Sequence, residues 1–180
     1  MVEESKIQEL VTKAKQGDKD AFGAIYDALG KPVFNFLFAR IRNREAAEDL
    51  LQTVFLKVWN NLAGYQSKRT AKFSTWLFQI ANYTLIDHWR TRKETVDLTV
   101  IENLSDFAAD PKLYEKYDYL YSAIKLLPQE YQTIIQLRFQ QDLSVSEVAN
   151  IMDKSEVSIR VLQHRAIKLL RTKLSNFKTV

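Results

Sequence analysis

Six aromatic residues and six cations share one short stretch of this chain. Tyr65, Phe73, Trp76, Phe78, Tyr83 and Trp89 are interleaved with Lys68, Arg69, Lys72, Arg90, Arg92 and Lys93. Rings that accept unstacked bases, beside cations that follow a phosphate backbone, hold single-stranded nucleic acid, each stacked base contributing about 1–3 kcal/mol. That is recognition chemistry rather than bond making. The chain has no cysteine, hence no thiolate ligand, disulfide or cysteine nucleophile. Its only histidines, His88 and His164, argue against a metal site. Nothing assembles a carboxylate cluster or a nucleophile with its base, so neither an enzyme nor a cofactor is expected.

The elements that position this stretch can be read from periodicity. Phe73, Trp76, Leu77, Ile80 and Thr84 share one helical face, and Phe78, Leu85 and Trp89 lie on roughly the other. A helix apolar on two sides is usually the centre of a bundle. Core aromatics are therefore expected inside, with the preceding loop and the helix ends touching nucleic acid. Upstream, Ala47, Leu50, Leu51, Val54, Val58 and Leu62 form one apolar stripe that must face a core. Asp49, Gln52, Leu56 and Asn60 fall on the opposite side. A leucine among a carboxylate and amides is what a small docking face looks like; a solvated face with one stray leucine is the alternative.

Before these, residues 5–16 read as a short helix ended by Gln16-Gly17-Asp18, and Asp18–Leu29 starts another. Gly30-Lys31-Pro32 is expected to interrupt the pattern, with Pro32 in the first turn of a new helix, VFNFLFARI. Asn43-Arg44 leads into the docking helix. After Lys93 the periodicity weakens and acidic residues accumulate, so 94–110 reads as a linker. Asp110-Pro111 caps a helix presenting Leu113, Tyr117, Leu120, Ile124 and Leu127; Pro128 starts the next, which ends at Gln141-Asp142.

Ser144-x-x-Glu147 is then a capping box before a short helix, Asp153-Lys154 makes a tight turn, and Ser155 caps a longer basic helix. Two helices joined by so short a turn are a helix-turn-helix. Ile159, Leu162, Ala166, Leu169 and Leu170 should pack inward, leaving Val157, Arg160, Val161, His164, Lys168 and Arg171 outward. Cations with small apolar side chains suit the major groove. Ser155, Glu156 and Ser158 stand at the helix N-terminus, the end that reaches bases or phosphates. The fold class is thus all-α, two small helical domains at 1–93 and 111–180 joined by the linker at 94–110, the second a helix-turn-helix.

Charge follows the same division. Residues 31–93 carry eleven Lys and Arg against four Asp and Glu, and residues 154–180 carry seven against one. Residues 94–122 carry seven acidic side chains against two basic. Two basic blocks favour polyanion contacts at two places, although surface lysines can also merely solubilise. No run approaches the ~18 apolar residues of a membrane span, and the polar N-terminus does not read as a secretory signal. The composition fits a cytoplasmic protein.

Asp49-x-x-Gln52-x-x-Phe55 within AEDLLQTVFLKVW, followed by Phe73-x-Thr75-Trp76-Leu77, Ile80-Ala81, Asp87 and Arg90, resembles region 2 of bacterial sigma factors. The short chain resembles the extracytoplasmic-function type of the sigma-70 family. It departs from the pattern at Tyr83, where the family carries an asparagine; Asn82 stands one place earlier. Ser146-Glu147-Val148-Ala149, Ser155-Glu156 and Ile159 to Ala166 resemble region 4, with Asp153 in place of the usual turn glycine.

The resemblance implies a promoter-specificity subunit of core RNA polymerase that supports initiation and strand opening. Asp49, Gln52 and Phe55 would engage the beta-prime clamp helices; Leu56 joins them from its outward position. Residues 65–72 would hold a flipped minus-ten base, and the helix after them the open strand. Tyr65, Lys68, Arg69, Lys72, Phe73, Trp76, Asn82, Tyr83 and Arg90 make up the minus-ten set. Arg160, Val161, His164 and Arg165 would read duplex minus-thirty-five DNA, with Ser155, Glu156, Ser158 and Lys168 beside them. An anti-sigma protein is implied by analogy alone. A free-standing helix-turn-helix regulator and a helical adaptor remain as alternatives.

Overall fold

In the computed structural model the described residues are 4–67, 72–95 and 119–177, and every regular element among them is helical. The chain divides into two compact units, Met1–Asn103 and Leu104–Val180. Lys68, Arg69, the linker beyond Thr95, Asp110-Pro111, Leu113 and Tyr117 lie outside the described residues, as do the side chains of Arg92 and Lys93.

The first unit begins with α1 (Glu4–Lys15), whose Ile7, Val11 and Ala14 are buried at the spacing of one helical face. Gly17 ends it at φ +94°, a conformation that favours a residue without Cβ. Asp18 then caps α2 (Lys19–Ile41), its carboxylate accepting from the Ala21 amide at 3.0 Å. The expected interruption at Gly30-Lys31-Pro32 does not occur; α2 runs through Pro32. A proline inside a helix costs about 3 kcal/mol. Just past it, Val33, Phe36 and Leu37 are completely buried, and each such side chain returns about 1.5–3 kcal/mol. Core burial therefore outweighs the lost hydrogen bond.

Arg42 closes α2 in the left-handed region, and Asn43 caps α3 (Arg44–Asn61) through its side chain to the Ala46 amide at 2.8 Å. A single 3-10 turn, Leu62–Gly64, follows. Helix α4 (Phe73–Thr95) packs against α1, α2 and α3. Phe73, Leu77, Phe78, Ala81 and Leu85 are all buried on it, so its two apolar sides are those of a bundle's central helix.

The second unit holds α5, described over residues 119–125, α6 (Gln129–Ile135), α7 (Val145–Met152) and α8 (Glu156–Phe177). Pro128 is the N-cap of α6, which widens into a π turn, Gln136–Gln140, that the sequence did not signal. Ile124, Leu127, Ile135 and Ala166 form a core cluster bordered by Leu120, Tyr131, Leu169 and Leu170.

Candidate nucleic-acid and polymerase interface

On α3 the two faces separate as the periodicity requires. Ala47, Leu50, Leu51, Val54 and Val58 are buried, whereas Asp49, Gln52, Leu56 and Asn60 are exposed. Leu56 is 62% exposed although it is an apolar side chain in the middle of a helix. Phe55 does not share that face. It is 5% exposed and meets Tyr26 edge-on at 4.7 Å and Phe22 at 6.2 Å. Its ring packs against Phe22 and Tyr26 of α2, so the polymerase contact expected of Phe55 falls on a buried side chain.

The minus-ten set divides in the same way. Tyr65, Phe73 and Asn82, expected among the minus-ten contacts, are buried. Tyr65 packs on Phe73 at 5.2 Å and on Trp76 at 4.9 Å, and burial pushes its phenol above the ordinary range. Lys72, Tyr83 and Arg90 are exposed, and Trp76 is half-buried. Between α3 and α4 lies a cavity of about 390 Å³ that brings Trp76 and Tyr83 together with Lys57, Asn61, Gln79, Ile80 and Thr84. Two rings, two side-chain amides and an ammonium around one opening can stack on a planar group and donate to its edge. Lys57, Asn61 and Gln79 were missed by the sequence reading because the cavity joins two helices, and its only signal was their place one or two turns from named residues.

In the second unit the turn before α8 is built by backbone chemistry. The Ser144 side chain and Glu147 satisfy each other's backbone amides in a capping box. Asp153 takes φ 52° and ψ 52°, the left-handed conformation that its short polar side chain tolerates. The Lys154 amide donates to the Ala149 carbonyl at 3.0 Å, and its ammonium pairs with Glu130 on α6 at 3.0 Å. Ser155 Oγ accepts from the Ser158 amide at 3.2 Å and so caps α8.

Ile159 and Ala166 are completely buried, which fixes the rotation of α8. Ser155, Glu156, Ser158, Arg160, Val161, His164, Arg165 and Lys168 are all exposed, together with Val157 at 67%. Arg160 is held by Glu156 one turn earlier at 2.9 Å. Behind α8, Arg138 of the π turn donates to Gln163 Oε1 at 3.1 Å and to the Leu143 carbonyl. Among the described residues no three His, Asp or Glu side chains gather as a metal site, and no helix is long and apolar enough to cross a membrane.

Two family models match the chain, Sigma-70 region 2 over residues 25–95 and Sigma-70, region 4 over residues 123–172. The chain is 31% identical over 144 residues to the RNA polymerase sigma factor SigV of Bacillus subtilis, covering 79% of this chain and 84% of SigV. It is 30% identical over 172 residues to the ECF RNA polymerase sigma factor BldN of Streptomyces coelicolor, covering 92% of this chain and 65% of BldN. The solved structure of CnrH in complex with the cytosolic domain of CnrY has the same fold, with a TM-score of 0.71, 20% identity and 97% of each chain covered.

Proposed function

The chain belongs to the sigma-70 family of RNA polymerase sigma factors, in its extracytoplasmic-function type, and from that premise we propose how its residues divide the work of initiation. Sigma factors bind core RNA polymerase and recognise promoters; they are specificity factors, and RNA synthesis belongs to the polymerase.

The first unit, assigned to residues 1–93, docks and opens. Asp49, Gln52 and Leu56 meet the beta-prime clamp helices, with Phe55 bracing them. The cavity around Trp76 and Tyr83 takes part of the minus-ten strand once it is open, while Lys68, Arg69, Lys72 and Arg90 follow its phosphates. Unstacking costs a few kcal/mol per base, and capture by stacking returns about 1–3. The second unit, assigned to residues 111–180, reads duplex minus-thirty-five DNA with Arg160, Val161, His164 and Arg165, while Ser155, Ser158 and Lys168 meet the backbone and Glu156, at the start of the same helix, holds Arg160. Residues 94–110 link the two through the polymerase. The chain acts in the cytoplasm, where that enzyme works, and an anti-sigma protein is its proposed regulator.

One observation carries this reading: an exposed leucine face on α3 and an aromatic, cationic opening against α4 occur on the same small unit. A free-standing helix-turn-helix regulator has no use for either. The test is transcription by purified core polymerase on a genomic fragment library, with and without the protein, followed by sequencing of the transcript starts. New starts sharing two spaced upstream elements are expected. Absence of new starts, with tight duplex binding by the protein alone, would replace this reading with the free-standing regulator.

A further inference from the structure

Helix α1 reaches both ends of the short basic segment between Tyr65 and Phe73. At one end Lys15 Nζ donates to the Tyr65 carbonyl at 2.7 Å. At the other, Glu4 Oε1 accepts from the Phe73 amide at 3.0 Å, and Ser74 Oγ lies 3.4 Å from Glu4 Oε2. These partners stand 50, 69 and 70 positions apart in the chain. The two ends also meet each other, through the edge-on Tyr65 and Phe73 rings.

The chemistry explains why α1 is needed there. The first amides of a helix have no partner within it. Lys72, the residue before α4, has a side chain that can only donate and whose charge opposes the positive end of the helix dipole. A cap with the right sign must come from elsewhere, and the Glu4 carboxylate supplies it. Packing is not what these two side chains provide, since α1 is seated in the core by Ile7, Val11 and Ala14 while Lys15 is exposed and Glu4 only half-buried.

We infer that Glu4 and Lys15 are positioning residues for minus-ten recognition: from α1 they hold the backbone on both sides of the basic segment, touching no DNA themselves. This rests on the minus-ten assignment made under Proposed function. Loss of either leaves docking by α3 intact and disturbs only how the open strand is met.

The test uses holoenzyme assembled from core polymerase and the full chain carrying Glu4→Ala, Glu4→Gln or Lys15→Met, with a Lys68→Ala/Arg69→Ala double variant as the control on the assignment. Three readouts are taken: polymerase affinity, permanganate reactivity of minus-ten thymines over time, and base preference on promoters randomised in that element. Glu4→Ala is expected to slow opening roughly three- to tenfold, the range of a lost charge-assisted cap, and to flatten base preference at unchanged polymerase affinity. Lys15→Met should act in the same direction. Glu4→Gln should recover part of the loss, because its amide oxygen still accepts from Phe73.

Opening that stays at the parent rate in Glu4→Ala and Lys15→Met, while the Lys68/Arg69 variant fails, overturns the inference and leaves the assignment standing. Normal opening in the Lys68/Arg69 variant as well removes the assignment and the inference with it. Slower opening with base preference intact, no rescue by glutamine, or polymerase affinity falling in step reduces Glu4 to a purely structural contact and overturns the inference.

Discussion

The Lys57 ammonium on α3 donates to Thr84 Oγ1 on α4 at 3.2 Å, and Asp87 stands 3.7 Å from the same nitrogen. One side chain therefore ties the helix that carries the exposed Leu56 to the helix that carries Trp76 and Tyr83. It also lines the cavity between them. Thr84 is almost fully buried, so its hydroxyl depends on such internal partners.

Lys57→Met keeps the aliphatic stem and removes the donor. Promoter opening should fall while polymerase affinity stays at the parent value. Stability should drop by about 1 kcal/mol, the net worth of one hydrogen bond. Thermal unfolding and permanganate footprinting of the open promoter check the two parts separately.

Leu56 and Phe55 are neighbours with opposite exposure, and their substitutions should separate cleanly. Leu56→Ala removes an exposed side chain and should leave the unfolding midpoint unchanged while weakening binding to core polymerase by roughly 1–2 kcal/mol. Phe55→Ala empties a space between α2 and α3 and should cost about 3–5 kcal/mol of stability. A Leu56→Ala protein that bound polymerase like the parent would remove the docking face.

Arg160→Ala should relax selection at one position of the upstream element, costing roughly 1–3 kcal/mol against the preferred base. Because Glu156 holds the guanidinium at 2.9 Å in the free protein, Glu156→Ala should free it and raise affinity for non-specific duplex. Binding curves on native and scrambled DNA at two salt concentrations distinguish these outcomes. An equal loss on both sequences for Arg160→Ala marks a phosphate contact instead.

Asp153 holds the left-handed turn between α7 and α8 at φ 52°. Asp153→Gly should be neutral or slightly stabilising, whereas Asp153→Val should cost about 1–3 kcal/mol because a branched Cβ is strained there. Chemical denaturation of the full chain measures both.

Much of this was legible in the residues because its causes are local. The caps at Ser144 and Ser155, the helix starts at Asp18 and Asn43, the turn at Asp153 and the outward set on α8 all depend on neighbours within one or two helical turns. The same holds for Leu56, whose exposure follows from its angle to the buried stripe on α3. The π turn at Gln136–Gln140 is different: no residue type there demanded it.

What the sequence determined by itself was the all-helical class, most helix ends, the two basic blocks and a resemblance that named the family. Tertiary structure decided the rest. Pro32 was accommodated inside α2 by the buried Val33, Phe36 and Leu37 around the next turns. Phe55, Tyr65, Phe73 and Asn82 were drawn into the core, and Glu4 was brought to the start of α4 from 69 positions away. Helical periodicity tells which side chains share a face. Which of them meet water depends on partners brought together only when distant helices pack.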